Sequence, residues 1–279
     1  MQKLRVKKVR ENLKEFYKRG ALDVDGSLIV DQETIVYDDD TGEYVFGLFD
    51  IGRDPKQLVA YLNSIKFQTT RRTGGMLSTS RIFGYSPRVK IRADYCNKTS
   101  LSRENKPAHD YVCEYGGVIQ DIYKKHAPEA YESHMEMTDK VLGDWKIKDT
   151  PFTSWIINKN NKLNYHYDAW NFKNVYSCMI TLKDGIDGGY LMIPEYNIQV
   201  RTYHNSLFMF DGQSVLHGVS PIKRLKEDSY RYTIVYYSLK GMRQCLEPSG
   251  ELERVKKEKT KLYQRRKDLL KKKKDEGNV

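Results

Sequence analysis

Cysteine is scarce and scattered in this chain. Cys96, Cys113, Cys178 and Cys245 form no CxxC pair, which argues against a zinc ribbon and against a redox dithiol. A disulfide is not expected in a reducing compartment, so the four read as buried or idle thiols. No apolar run reaches the ~20 residues that a membrane-spanning helix needs. The first residues, MQKLRVKKVRENLKEF, lack the continuous apolar core of a signal peptide. The expected location is therefore intracellular, cytoplasmic or nuclear, neither secreted nor in a membrane. Internal repeats are absent as well, which argues against a solenoid.

What is present suits a folded domain. The 279 residues are 39% hydrophobic and 12% aromatic, enough for one large core or two small ones. Tyrosine, at 21 copies, is the aromatic that tolerates half-wet clefts. The net charge is +11, and it is unevenly placed. Residues 1–20 carry eight Lys/Arg against two acids, and residues 251–279 carry twelve against six. The 230 residues between hold 28 basic and 29 acidic groups. Excess positive charge confined to the two ends suits a polyanionic partner, nucleic acid above all. Solvated tails that only aid solubility are the other reading.

Along the chain, Leu4, Val6, Val9, Leu13 and Phe16 among lysines and arginines predict a basic amphipathic helix within residues 1–20. SLIVDQETIVY and EYVFGLFDI flank the turn-prone DDDTG and predict a hairpin over 28–50. DPKQLVAYLNSI predicts a helix capped by Asp54. Residues 66–103 read as irregular and basic, with Gly74, Gly75 and Gly84. Residues 107–143 predict one or two helices broken near Pro128. From Phe152 the texture becomes short strands separated by KDGIDGG and FDGQ, which predicts a β-sandwich or jelly-roll. A single domain over 21–245 with a basic helical tail over 246–279 is the expected organisation.

The sharpest motif is His166-Tyr167-Asp168. Residues two apart on a strand point to the same side, so His166 and Asp168 can reach one metal. His217, in VLHGVSP, is the candidate third ligand. Two neutral imidazoles and a carboxylate make the facial triad of non-haem iron(II) oxygenases, which leaves coordination positions open for a 2-oxo acid and dioxygen. A zinc or cupin-type site would use similar ligands. Arg231 follows His217 after 13 intervening residues, as HxD precedes it by 48. A guanidinium suits a bidentate grip on the far carboxylate of 2-oxoglutarate, and Thr233 on the same side could add a hydroxyl. His109 and Cys113, four apart on an expected helix, are a weaker metal pair.

Over about residues 150–240 the sequence resembles the TET/J-binding-protein family of 2-oxoglutarate oxygenases, which oxidise methyl groups on nucleic-acid bases. The resemblance rests on HYDAWN (166–171), GGYL (188–191), LHGVSPI (216–222) and RYTIVYYS (231–238). It implies a double-stranded β-helix (jelly-roll) core in an α+β fold, with leading helices packed outside, using iron(II), 2-oxoglutarate and O2. It also implies that Asn171, three residues after the metal-binding Asp, contacts the base edge. Tyr237, six after the co-substrate Arg, would stack on the flipped base. A flipped base needs such a ring and such hydrogen bonds, although turn capping by Asn171 and strand packing by Tyr237 stay open. Cytosine-acting members carry a His eight after the Arg. Here that position is Leu239, which places 5-methylcytosine in doubt and leaves thymine or another base open. The stretch 81–102 is a candidate nucleic-acid surface or a scaffold loop over the barrel.

The expected function is thus a monomeric dioxygenase that hydroxylates the methyl group of a DNA base, 5-methylcytosine or thymine. Two rivals stand beside it. One is an oxygenase of the same fold acting on a protein side chain or a small metabolite. The other is a non-catalytic nucleic-acid-binding protein with a structural metal.

Overall fold

A computed structural model of the protein describes residues 1–71, 77–87 and 96–275. In chain order it has strands β1 (Gln2–Val6), β2 (Leu28–Val30), β3 (Thr34–Asp38) and β4 (Tyr44–Asp50), then helix α1 (Lys56–Asn63). Strands β5 (Thr69–Arg71), β6 (Leu77–Pro87) and β7 (Cys96–Lys98) come next. They are followed by helices α2 (Leu101–Glu104), α3 (Lys106–His126) and α4 (Pro128–Asp139). The strand-rich half holds β8 (Ser154–Lys159), β9 (Leu163–His166), β10 (Ser177–Asp184), β11 (Ile186–Gly188) and β12 (Leu191–Ile193). It continues with β13 (Ile198–Val200), β14 (Ser206–Phe210), β15 (His217–Val219), β16 (Ile222–Arg224) and β17 (Tyr230–Tyr237). Helix α5 (Pro248–Asp275) ends the described chain.

Ten strands form one sheet in the order β1-β3-β4-β14-β10-β17-β8-β6-β5, with β7 also on β6. Five form a second, β2-β13-β12-β15-β9. The central strands of the large sheet are buried on both faces, and strand parity decides which side chain goes where. On β10, Cys178, Ile180 and Leu182 join Tyr232, Ile234 and Tyr236 of β17 in a core with Leu58 and Leu62 of α1 and Val112, Tyr115 and Ile119 of α3. On the other face, Met179 and Phe208 pack with Leu191, Ile193, Ile198 and Val219 of the small sheet. Two facing sheets with helices outside make the jelly-roll core of an α+β fold. Among the described residues no helix is long and apolar enough to cross a membrane.

The helices follow their caps. Asn105 Oδ1 accepts from Ala108 N–H at 3.2 Å at the start of α3, and Pro107 occupies its first turn. Pro128 ends it, because the residue before a proline leaves the helical region; Ala127 sits at φ −149°. Asp54 does accept from Lys56 N–H, at 3.0 Å.

Several expectations are corrected. Residues 1–20 are not a helix: Gln2–Val6 is a strand pairing parallel with β3. The alternation Lys3, Leu4, Arg5, Val6 fits the period of an edge strand, and Val6 buries against the sheet. The expected hairpin is β3 with β4, paired antiparallel, but the run SLIVDQETIVY is two strands, β2 in the small sheet and β3 in the large one. Residues 66–103 are not irregular throughout, since β6 runs for 11 residues. Gly84, at φ +69°, serves there as a close-approach point, where a Cβ would lie 2.9 Å from Thr153 O. Arg72, Gly74, Gly75, Arg88, Lys90, Arg92 and Tyr95 lie outside the described residues, and with them much of the candidate basic surface. Cys96 and Cys245 are joined as a disulfide across 149 residues, a pairing that sequence spacing does not signal; Cys113 and Cys178 are free.

One buried group carries a pH prediction. His134 on α4 is bonded through Nε2 to Ser238 Oγ at 2.9 Å, while its Nδ1 is buried without a partner. Burial pushes its pKa down to about 3 from an ordinary 6.5. The unfolded chain therefore takes up a proton that the folded chain refuses. Stability is complete above pH ~6.5 and falls as the pH drops from there towards 3. His109 and His126, also lowered by burial, act in the same direction. Thermal melts should show Tm falling across this window. His134→Gln, whose amide can reach Ser238 in place of Nε2 but does not titrate, should flatten the fall; an unchanged slope would contradict this account.

Candidate active site

Between the two sheets lies a cavity of about 550 Å³. The large sheet contributes Ile156 and Asn158 of β8, Met179 of β10, and Arg231, Thr233, Val235 and Tyr237 of β17. Those four positions of β17 are one parity, so a single strand face supplies them all. The small sheet contributes Leu163 and His166 of β9, Leu191 of β12, and His217 and Val219 of β15.

His166 ends β9 and His217 begins β15, directly opposite each other in antiparallel register. Their ring centroids are 4.4 Å apart. Each ring is oriented the same way: Nδ1 of His166 bonds Asn164 O at 2.7 Å, and Nδ1 of His217 bonds Val215 O at 2.9 Å. A carbonyl accepts only, so each Nδ1 carries the proton and each Nε2 keeps its lone pair for the site. Burial first, then the neighbouring His166, pushes the His217 pKa down to about 3. It is therefore the neutral imidazole that a metal requires. Asp168 follows the end of β9, held by its N–H on Gly212 O at 2.8 Å. One carboxylate oxygen lies 3.7 Å from His166 Nε2, and the other accepts from Asn171 Nδ2 at 3.3 Å. Ligand atoms of His166, Asp168 and His217 all lie within 4.8 Å of one another. This donor set could hold a divalent iron on one side and leave the cavity side open.

Gly212 is the least replaceable neighbour of this group. A Cβ there would collide with the Asp168 carboxylate, whose carbon would stand 3.0 Å away. Gly212→Ala should displace the carboxylate, because Gly212 is buried and its chain is tied to Asp168. We expect metal affinity to fall about 10- to 100-fold, the cost of disturbing an outer partner, with the fold retained by circular dichroism. Wild-type affinity in a metal titration would contradict it.

Arg231 is 2% exposed and reaches the same cavity. It makes no ion pair among the described residues, and its Nη2 is buried without a hydrogen-bond partner. Burial lowers its pKa to about 10, so it stays charged at neutral pH. Beside it Thr233 Oγ1 accepts from Asn158 Nδ2 at 3.3 Å, which turns the hydroxyl proton elsewhere. Thr181, paired with Thr233 across the strands, also has a buried Oγ1 without a partner. A buried cation next to unmet polar groups fits a carboxylate ligand. Gly189, at φ +66°, makes room for the arginine stem, since a Cβ would lie 3.0 Å from Arg231 Cδ.

Asn171 and Tyr237 both line the cavity, together with Leu239. Asn171 spends its amide N–H groups on Asp168 and on Ser177 Oγ at 3.2 Å. Its local role is thus to hold the carboxylate, and its carbonyl oxygen is the group left for a ligand. Sequence reasoning missed Asn158, Gly212 and the exposed Trp170. Asn158 had a signal, a polar residue of cavity parity in the apolar run SWII. The weaker pair does meet, with Cys113 Sγ 3.7 Å from His109 Nδ1. No third ligand joins it among the described residues, and burial raises the thiol to about 12. Cys96, Cys245 and Glu251 also cluster. There the sulfurs bond each other, and Glu251 accepts from Cys96 N–H at 2.8 Å and Leu246 N–H at 2.7 Å.

Comparison with known proteins adds four findings. Thymine dioxygenase JBP1 of Leishmania infantum is 27% identical over 171 residues, covering 59% of this chain and 20% of that protein. Thymine dioxygenase JBP1-B of Trypanosoma cruzi is 25% identical over 170 residues, with shares of 59% and 20%. The chain thus spans about a fifth of the length of these relatives. The solved structure of NgTET1 in complex with 5mC DNA shares the fold, with a TM-score of 0.58 at 14% identity, over 84% of this chain and 89% of that one. Finally, the Tet_JBP model, described as the oxygenase domain of the 2OGFeDO superfamily, matches residues 83–240. That span exceeds half of the chain and contains the whole His/Asp/His cluster with Arg231, so the protein belongs to the Tet_JBP family of 2OGFeDO oxygenase domains.

Proposed function

We propose that this chain is an iron(II)- and 2-oxoglutarate-dependent dioxygenase that hydroxylates the methyl group of a DNA base, thymine before 5-methylcytosine. The observation that carries the reading is the buried Arg231 guanidinium, without an ion pair among the described residues, in one cavity with His166, Asp168 and His217. His166, Asp168 and His217 would hold the iron, and Arg231 with Thr233 would hold the far carboxylate of the co-substrate. When bound, iron(II) with 2-oxoglutarate and O2 supplies the oxidation that converts C–H to C–OH, releasing succinate and CO2. The chain's own work is placement: it fixes both imidazole tautomers, neutralises the co-substrate carboxylate, and walls the cavity with Met179, Leu191, Val219 and Val235 against water.

The base would enter flipped, because an enclosed cavity cannot receive a base still in its stack. Tyr237 would stack on it, and the Asn171 carbonyl oxygen would accept from a base N–H such as N3–H of thymine. Leu239 offers no hydrogen bond to a cytosine amino group, which favours thymine. The thymine dioxygenase relatives support the same choice, and the net charge of +11 supports DNA as the partner. A monomer is consistent with a site whose groups all come from the described residues of one chain, and an intracellular location suits its co-substrate. Incubation with duplex DNA, iron(II) and 2-oxoglutarate, followed by nucleoside mass spectrometry, should yield 5-hydroxymethyluracil. No oxidised nucleoside from thymine or 5-methylcytosine DNA, with succinate formed instead on protein or metabolite, would move the reading to another substrate class.

A further inference from the structure

Trp170 stands in an unusual position. Of the three tryptophans, Trp145 and Trp155 are 4% and 0% exposed, whereas Trp170 is 75% exposed. It nevertheless lines the mouth of the cavity, two residues from Asp168, as does Ile82, which is 46% exposed. Leaving an indole in water forgoes the burial that large aromatics normally gain. Together Trp170 and Ile82 give the rim of the cavity exposed apolar surface next to the proposed site, where a bound strand could cover it.

The backbone beneath this indole is tied down on every side. Asp168 N–H bonds Gly212 O, Lys240 N–H bonds Trp170 O at 3.1 Å, and Asn171 forms a bridge with Leu239. Gln213 Nε2 donates to Ala169 O at 3.3 Å and also to Asn171 O. The indole therefore stands on a pinned loop backbone, with its ring open to solvent at the cavity mouth. The bond from Lys240 also sets an exposed ammonium-bearing residue beside it, and Lys173 is exposed close by in sequence. A flat apolar face next to positive charge is the combination that takes a nucleobase with its phosphate.

We infer that Trp170 and Lys240 form a rim subsite that stacks a nucleobase flanking the target and takes the adjoining phosphate. This deepens the reading above and rests on it. The target base would pass into the cavity while its neighbour is held at the mouth, so the strand is gripped on both sides of the rotated nucleotide. Trp170 acts there as a positioning residue; it reaches none of the reacting groups.

The test needs no iron and no turnover. Because the other tryptophans are buried, long-wavelength emission and its quenching report on Trp170. A ten-nucleotide thymidine oligomer, carrying a terminal dye for anisotropy, should bind and quench that emission in one saturable step. Inorganic polyphosphate, which has charge but no bases, should leave the emission unchanged. Trp170→Phe should lose the quenching but keep affinity within about threefold, and Trp170→Ala should weaken binding about tenfold, the size of one base–aromatic stack. Lys240→Gln should keep the quenching, weaken binding a few-fold, and lower the salt dependence of binding by about one ion. If the oligomer binds by anisotropy while Trp170 emission stays constant, or if polyphosphate quenches equally, the subsite is wrong and the nucleic-acid reading stands. If no oligomer or duplex binds at all, both fall.

Discussion

Arg231→Met should weaken 2-oxoglutarate binding by one to several orders of magnitude and leave the apo-protein as stable as the wild type, or more stable. The two halves of this expectation come from one fact. The guanidinium is buried, charged, and without an acidic partner among the described residues. A buried charge in that state costs stability until a ligand neutralises it, and methionine fills similar space without the charge. Binding runs the other way. Removing one partner of a buried charge pair costs ~2–5 kcal/mol, so affinity for 2-oxoglutarate should fall at least about thirtyfold and up to about four-thousandfold. Arg231→Lys should not rescue it fully, because an ammonium cannot form the two parallel bonds of a guanidinium. Differential scanning fluorimetry reads both effects: 2-oxoglutarate should raise the Tm of the wild type and leave the variant unmoved. A variant destabilised by many degrees, yet still shifted by 2-oxoglutarate, would show that Arg231 is a core residue and not the co-substrate anchor.

Asp168→Ala should lower iron affinity by more than about a hundredfold, beyond the upper end of what an outer partner costs. The carboxylate is the sole anion of the cluster, so its loss leaves two neutral imidazoles facing a dication. Asp168→Glu should fare little better, because the longer side chain moves the carboxylate away from its position beside His166 and Asn171. His166→Ala should lose activity to a similar degree. His217→Ala should do so with a larger structural cost, since His217 is the more buried ring and packs edge-on against Phe210 with ring centroids 4.7 Å apart. Iron titration followed by anaerobic equilibrium dialysis separates these effects from unfolding.

The site was more legible in sequence than the frame around it, for physical reasons. Strand parity is fixed by geometry, so RxT placed Arg231 and Thr233 on one face of β17 without any knowledge of the fold, whereas Asp168 lies past the end of β9 and is held near His166 by its own N–H on Gly212 O. Bringing His217 to them needed only that β9 and β15 pair, which the register of His166 with His217 supplies. The N-terminus misled because Leu4, Val6 and Val9 satisfy a helical and a strand period almost equally over so short a span. The outcome was decided by an open edge on β3, which no local pattern encodes. The role of Asn171 was half legible. Its place three residues after Asp168 was visible, but the two hydrogen bonds that tie its amide to Asp168 and Ser177 depend on the chain turning back at β10. Trp170 was in plain view within HYDAWN. Its importance lies in exposure, which periodicity does not report in a loop.

The family assignment and the cavity converge on one chemistry, and one measurement addresses it most directly. Release of CO2 from 2-oxoglutarate labelled at its first carbon can be followed with thymine-containing DNA, in wild-type protein and in Asp168→Ala. The account predicts iron-dependent release by the wild type, matched by succinate, and none above background by the variant. Release that persists in Asp168→Ala, or a wild type that binds DNA but releases no CO2 with iron present, would contradict it.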